Sequence, residues 1–428
     1  MNTLTEDKEK YLTQLEAELI NNKFIEGDKI NRNLLDDIDV IGFDIDHTLS
    51  IYNTSNMVQL LYESFSKFLI LEKGYPKEIS YENNKDFVVK TSHNEILIDF
   101  INGNALKIDI NKEIVKGYHG KKELSKEEIN ALYPNGKYEP YESGVGFKDN
   151  LYFFNKCNFE YHLVPLVLVC VHYFDEGLIK CISCYKDIKD HLFESLFFNF
   201  KLKDEFADFH TSGYYFPEIA KHPELYFYKY SARELLKQLR KKGKKLFFAT
   251  NSYKTYAEFV LKHTVGEDYK EYFDLGVWFS KKPMFFEAKP SNPELRCYFE
   301  DKTKIPIEEM NDEIYNKIKG GDYLIFEGSY KVVENYFKKA LKKKDIKCVY
   351  VGDDLFNDCC APSKLNEWKG IFISDCIKTG FIGSNPENFT SNWKEADEDK
   401  SHIDVKAGIL SKNTLIALSN IEGLKYFI

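Results

Sequence analysis

The sequence contains no apolar stretch long enough to cross a bilayer. Its longest, LVPLVLVCVHYF from Leu163 to Phe174, is about half the roughly 20 residues a spanning helix needs, and is expected to be a buried element. Basic residues are not in surplus: 59 Lys and Arg stand against 68 Asp and Glu, a formal charge of −9 with a pI near 5.7. That balance argues against non-specific binding of nucleic acid polymers or anionic membranes. The amino-terminal MNTLTEDKEKYLTQ lacks an apolar signal core, which leads to the expectation of a cytoplasmic protein. There is no paired cysteine framework either. The nine cysteines are odd in number and mostly sit inside apolar runs, as buried thiols do in a reducing compartment. Cys181-x-x-Cys184 has no second Cys or His pair at zinc-finger spacing, so it reads as structural, and so does Cys359-Cys360. No P-loop and no internal repeat is present.

What the chain does contain is chemistry at the ends of apolar runs. In IGFDIDHTLS, Ile41 to Ser50, the apolar Val40, Ile41 and Phe43 read as a buried strand, and Asp44-x-Asp46-x-Thr48 follows where the chain leaves it. Open α/β sheets bind ligands at the carboxyl ends of their strands. One carboxylate at such an exit can attack a phosphoryl group while its neighbour handles protons. A second strand is predicted in KKLFFATNS, ending on Thr250-Asn251-Ser252, donors able to hold phosphate oxygens. Ahead of it, Ser231-x-x-Glu234 reads as a capping box, Leu235, Leu236 and Leu239 as a helical stripe, and Gly243 as the helix terminator. A third run, CVYVGDDLFND, ends in Gly352-Asp353-Asp354 with Asp358 a few residues on. Acidic groups at a strand exit suit a hard divalent cation held through oxygen. The alternation of helix and strand predicts an α/β fold with a doubly wound, mostly parallel sheet.

Together with Lys282 in WFSKKPMFF, these strand ends resemble the signature of the haloacid dehalogenase-like hydrolases. More narrowly, GFDIDHTLSIYN, FFATNSYKTYAEFVL, KKPMFF and YVGDDLFNDCC are similar to the cytosolic purine 5′-nucleotidase family and its nucleotidase-domain-containing relatives. The similarity spans about Asp39 to Asp375, dense at the motifs and diffuse between them. It implies a Rossmann-like core with an inserted α+β cap, and a hydrolase of phosphate monoesters, most readily nucleoside 5′-monophosphates.

By that resemblance Asp44 is the nucleophile and Asp46 the acid and base. Thr250, Asn251 and Ser252 bind phosphate, Lys282 stabilises its charge, and Mg²⁺ is held by Asp44, Asp46 through its backbone carbonyl, Asp353 and Asp358. Lys281 is the competing lysine, Asp354 a solvated neighbour, and His47 a filler. The family's substrate-reading segment aligns with FKLKDEFADFHTSGYYF, Phe200 to Phe216. Lys203 and His210 are the substrate contacts expected there, while Ala207 and Thr211 depart from the family's Asp and Tyr and leave the preferred base open. A catalytically weak scaffold on the same fold and a nucleoside phosphotransferase are the alternatives, and the family's habit implies a homo-oligomer. P-type ATPases share aspartyl-phosphate chemistry, but they need the membrane spans this chain lacks.

The expected organisation is an amino-terminal helical segment over residues 1–37, a catalytic core of 38–52 and 225–400, a cap over 53–224, and a closing segment over 401–428. KEKYLTQLEAELINN is predicted as an amphipathic helix, SNPENFTSNWKEADEDKSH as a polar linker, and Ile403 to Ile428 as a closing helix.

Overall fold

Short runs of consecutive apolar residues build the centre of this protein. In the computed structural model, described for residues 35–374 apart from 94, 110, 140–150, 156, 230, 288–295 and 321–323, and for 414–418, 421, 424 and 425, thirteen strands occur. The first is β1 (Val40–Phe43). Five then form a smaller sheet: β2 (Leu97–Asp99), β3 (Asn104–Ile108), β4 (Ile114–His119), β5 (Lys122–Glu123) and β6 (Tyr152–Phe154). The chain continues through β7 (Lys245–Ala249), β8 (Leu275–Trp278), β9 (Cys297–Tyr298), β10 (Leu324–Glu327), β11 (Cys348–Gly352), β12 (Trp368–Ile373) and β13 (Thr414–Leu418). The predicted amino-terminal helix and the polar linker lie outside the described residues.

The larger sheet has the order β13-β12-β11-β1-β7-β8-β10-β9. All of its pairings are parallel except β10 with β9. Parallel strands covered on both faces need side chains that are apolar in both directions, and VIGF and CVYVG are buried throughout. Alternate residues feed two cores. Ile41, Phe43, Leu246, Phe248, Val349 and Val351 pack on one face, and Val40, Phe247, Cys348 and Tyr350 on the other. The topology places the site: from β1 the chain moves outward through β7, β8 and β10, then returns to the opposite side of β1 with β11. That reversal is the switch point at which α/β sheets bind ligands.

Gly42 makes the centre of the sheet possible. A Cβ there would lie 2.2 Å from the Phe247 ring and 2.8 Å from that of Tyr350, so the missing side chain lets two aromatic rings from the neighbouring strands fill the space.

Between β1 and β7 stands the inserted cap. The chain leaves through Tyr52 and returns beside it, with Tyr52 bridged to Phe227 and Tyr228 N–H bonded to the Ile51 carbonyl at 3.0 Å. The cap sheet is antiparallel, ordered β5-β4-β3-β2-β6. The alternating segment NALKIDINKEIVKGYHG supplies its β3–β4 hairpin. The run that is too short to span a bilayer becomes the helix Leu163–Asp175, buried from Leu163 through Val171. Among the described residues no helix is long and apolar enough to cross a membrane.

Two local expectations change. The helix after Ser231 runs Arg233–Lys241 with Ala232 at its N-cap, and the Ser231 hydroxyl donates to the Leu49 carbonyl at 3.1 Å. A tertiary hydrogen bond therefore replaces the capping box. Near the carboxyl terminus, TLIAL forms strand β13 against β12 instead of part of a closing helix. Five residues, four of them apolar, do not distinguish the two by periodicity, and an open parallel edge was available. Gly243, with φ +77°, does follow the Arg233–Lys241 helix.

One buried group makes the fold sensitive to acid. His162 is fully buried, edge-on to Phe65 at 4.4 Å, and neither ring nitrogen has a hydrogen-bond partner among the described residues. Burial is the dominant cause and pushes its pKa down to about 3. The unfolded chain takes up this proton near pH 6.5 and the folded chain does not. The stability His162 contributes as a neutral ring is therefore whole above pH 6.5 and is lost as pH falls toward 3. Expressed as wild type relative to His162→Leu, stability should fall by about 2 kcal/mol between pH 7 and pH 5, read from urea midpoints at each pH. A difference that does not move with pH would show that His162 is not the group responsible.

Candidate active site

Four strand exits meet at the switch point. Asp44 follows β1, its N–H bonded to the Val351 carbonyl at 2.8 Å and its carboxylate accepting from the Ile45 N–H at 2.8 Å. The chain then makes a wide turn closed by Ser50 N–H on the Ile45 carbonyl at 2.9 Å, with His47 at φ +54°. This turn carries Asp46 back beside Asp44. After β7, Thr250 is buried and its hydroxyl accepts from the Ser252 N–H at 3.1 Å.

The loop after β8 is fastened by Asn251. Its side-chain carbonyl accepts from Lys282 N–H at 2.7 Å, and its amide donates to the Lys282 carbonyl at 3.1 Å. Lys282 is thereby turned inward, its side chain 2% exposed. Its ammonium lies 3.2 Å from Asp44 Oδ2 and 2.8 Å from Asp358 Oδ1, and donates to the Tyr350 hydroxyl at 2.9 Å. Burial alone would pull its pKa down, but Asp358 and Asp44 outweigh burial and hold it well above the usual lysine value. The neighbouring Lys281 points elsewhere, to Glu327 at 2.8 Å.

Gly352 is what admits Asp358. A Cβ at that position would meet the Asp358 carboxylate at 2.2 Å, so any side chain there would displace it. Asp44, Asp353 and Asp358 each offer a carboxylate oxygen, and the three lie within 4.8 Å of one another. Asp353 is buried and accepts from the Asn158 N–H, on the cap, at 3.1 Å. Burial, then Asp44 and Asp358, pushes its pKa well above the usual carboxylate range. Burial likewise raises Asp358 to about 7 against the pull of Lys282. Three carboxylates facing one ammonium, Asp353 and Asp358 buried and Asp44 partly so, leave negative charge in excess, and their hard oxygen donors could hold a hard metal cation. The Asp46 side chain is not in this group. Asp354 accepts from the Phe356 and Asn357 N–H groups at 2.9 Å each, so it shapes the turn.

Asp46 is held differently. Its Oδ1 accepts from the Tyr52 hydroxyl at 2.6 Å and its Oδ2 from the Ser252 hydroxyl at 2.5 Å. Burial raises its pKa, opposed by those two hydrogen bonds. Ser252, expected on phosphate, thus reaches the second carboxylate. His47 stacks on Tyr52 at 4.3 Å, and burial lowers its pKa to about 3, so it is a neutral ring at this site.

These groups open on a cavity of about 630 Å³. Its lining includes Asp44, Asp46, Thr250, Asn251, Ser252, Lys282, Asp353 and Asp358. The rest of that lining is largely aromatic rings, Phe159, Phe200, Tyr215, Tyr253 and Phe279 among them. Lys203 and His210 are not among its lining residues. Both are exposed, and the His210 ring bonds Asp208 at 2.6 Å and stacks on Phe209 at 4.1 Å. The substrate segment brings its two ends to the cavity instead, Phe200 and Lys201 from its start and Tyr215 and Phe216 from its finish. Tyr52 and Tyr350 escape sequence reasoning. Their signal is a polar-tipped ring inside or just after an apolar strand, which by itself reads as core.

A carboxylate at a strand exit, a fixed ammonium and a cluster of acidic groups able to hold a cation, gathered where an α/β sheet reverses, suit phosphoryl transfer. A family model described as the 5′ nucleotidase family matches residues 30–413, and the chain belongs to that family, whose members are phosphoric monoester hydrolases. It is 28% identical over 358 residues to 5′-nucleotidase domain-containing protein 1 of Bos taurus, covering 82% of this chain and 75% of that protein. Against the Homo sapiens protein of the same name, identity is 28% over 351 residues, covering 79% and 72%. It is also 27% identical over 269 residues to 5′-nucleotidase domain-containing protein 2 of Homo sapiens, covering 60% of this chain and 47% of that protein.

Proposed function

We propose that the protein hydrolyses nucleoside 5′-monophosphates, with Asp44 as nucleophile and Asp46 as acid and then base. The observation that carries this reading is a single cavity lined both by Asp44 and Lys282 and by a group of aromatic rings, with Tyr253 stacked on Phe279 at 4.7 Å. A phosphate and a flat base joined by a sugar match those two kinds of lining.

Asp44 attacks phosphorus in line as Asp46 protonates the departing 5′ oxygen. Asp46, now unprotonated, then takes a proton from the water that attacks the aspartyl phosphate. Lys282 and Thr250 hold charge on the phosphoryl oxygens, and Asn251 keeps Lys282 aimed. Asp44, Asp353 and Asp358 would hold Mg²⁺, with the Asp46 carbonyl as a further ligand; when bound, it neutralises the carboxylates and draws charge from the phosphoryl oxygens. Closure of the cap over the cavity keeps bulk water from the reacting atoms.

The test is phosphate release by the purified chain with Mg²⁺, on nucleoside 5′-monophosphates beside ribose 5-phosphate and glycerol phosphate. Base stacking on aromatic rings predicts kcat/KM roughly 10- to 100-fold higher for the nucleotides. Equal values across the panel would remove the nucleoside from the proposal. Mg²⁺ at a hundred times its Kd should stabilise the fold by about 2.7 kcal/mol, reversibly with EDTA, and Asp353→Asn should lose most of that gain. A melting temperature indifferent to Mg²⁺ would argue against the cation site.

A further inference from the structure

Three tyrosines from three parts of the chain form a buried line of hydroxyls that ends on Asp46. Tyr52, beyond the turn after β1, donates to Asp46 Oδ1 at 2.6 Å. Its oxygen lies 3.3 Å from that of Tyr256, on the helix Lys254–Thr264, and Tyr256 lies 3.0 Å from Tyr215, on the cap helix Tyr215–Lys221. All three rings are almost fully buried. Tyr52 is wedged between His47, stacked at 4.3 Å, and Phe227, edge-on at 4.9 Å. Its hydroxyl therefore has little freedom to turn away.

We propose that Tyr52 is a positioning residue that assigns the two oxygens of Asp46 different jobs. The inference rests on the reading of Asp46 as the acid. With Oδ1 occupied by the Tyr52 donor, the transferable proton belongs on Oδ2. Ser252 contacts that same oxygen at 2.5 Å, and a serine hydroxyl donates to a carboxylate or accepts from a carboxylic acid by rotating about its C–O bond. It can therefore follow both protonation states, whereas Tyr52 keeps one hydrogen bond throughout. In the first step the Asp44 oxygen forms its bond to phosphorus. The bond from phosphorus to the ester oxygen breaks with its electron pair going to that oxygen, and the proton on Asp46 Oδ2 moves onto it. Tyr256 and Tyr215 brace the Tyr52 hydroxyl, and because Tyr215 belongs to the cap, the brace is complete only when the cap is seated.

The experiment compares Tyr52→Phe with the wild type on two substrates that differ in leaving group, a nucleoside 5′-monophosphate and 4-nitrophenyl phosphate. The alkoxide leaving group needs its proton and the nitrophenolate does not. The comparison uses kcat/KM, which reports only steps through release of the leaving group, so hydrolysis of the aspartyl phosphate does not enter. Phenylalanine keeps the stack on His47 and the edge contact with Phe227, and the melting temperature should stay close to that of the wild type. The expected result is a loss of about 10- to 100-fold on the nucleotide, with 4-nitrophenyl phosphate little changed. Equal losses on both substrates, or no loss on either, would overturn the assignment. Asp46→Asn is run alongside. If it shows the leaving-group dependence and Tyr52→Phe does not, Tyr52 has no positioning role. If Asp46→Asn shows none, the acid reading falls and takes this proposal with it.

Discussion

Asp44→Asn is expected to lower phosphate release on the order of 10⁴-fold or more without weakening the metal-free fold. The catalytic loss follows from the proposed role, because an amide nitrogen or oxygen is too poor a nucleophile to attack phosphorus in place of the carboxylate. The stability expectation runs the other way. Burial, only partly offset by Lys282 and reinforced by Asp46, holds the Asp44 carboxyl above its unfolded value of 3.8. An acid whose pKa is raised on folding binds its proton more tightly in the folded chain, so its ionised form costs stability as pH climbs past the unfolded value. Removing that charge returns the cost at neutral pH. Lys282 keeps Asp358 at 2.8 Å and Tyr350 at 2.9 Å, so the ammonium is not stranded. Melting curves with EDTA should place the variant at or above the wild type, and Mg²⁺ should raise its melting temperature less. Retention of phosphate release would remove Asp44 from the nucleophile's role, and a marked fall in metal-free melting temperature would show that Asp44 is chiefly structural.

The strand exits were legible in the sequence because two requirements coincide there. A buried parallel strand must be apolar, so a polar cluster immediately after one stands out, and Asp44, Thr250 and Asp353 each follow such a run directly. The doubly wound sheet is readable for the same reason. The cavity's other wall was not readable. Phe159 follows a cap strand, Phe200 ends a cap helix and Tyr253 follows β7; each alone is an ordinary core residue, and only tertiary packing brings them to one space. Lys203 and His210 failed to reach it for a related reason: alignment fixed the neighbourhood, but local turns decide which side chain faces inward, and Asp208 captures His210 at the surface. The contact between Asp46 and Ser252 spans 206 positions and that between Tyr52 and Tyr256 spans 204, with no periodicity to connect them. Strand β13 shows a limit of another kind, since a run of five residues, four of them apolar, is compatible with a helix or a strand until an edge is there to receive it.

Lys282→Met should be damaging in both respects, which separates it from Asp44→Asn. Loss of one preorganised charge at a phosphoryl site is expected to lower kcat/KM by about 10²–10³-fold. Unlike the charge of Asp44, the ammonium is needed by the fold itself. It lies between Asp44 and Asp358 with a side chain 2% exposed, and removing one partner of a buried ion pair costs about 3–5 kcal/mol because the other is left uncompensated. The deficit should depend on pH in a definite direction. Asp358 already sits at about 7 with Lys282 beside it, and without the ammonium both it and Asp44 hold their protons more tightly. The variant can shed the penalty by protonating, so its stability deficit is largest above neutrality and shrinks toward pH 5, as urea midpoints across that range would report. Mg²⁺ should recover more stability in the variant than in the wild type, because the cation then supplies the only positive charge among the three carboxylates. Lys281→Arg, whose charge remains on Glu327, should keep kcat near the wild-type value. If Lys281→Arg and Lys282→Met lose activity alike, or if the Lys282→Met deficit is the same at pH 5 and pH 8, then Lys282 is not the charge that balances the carboxylate cluster.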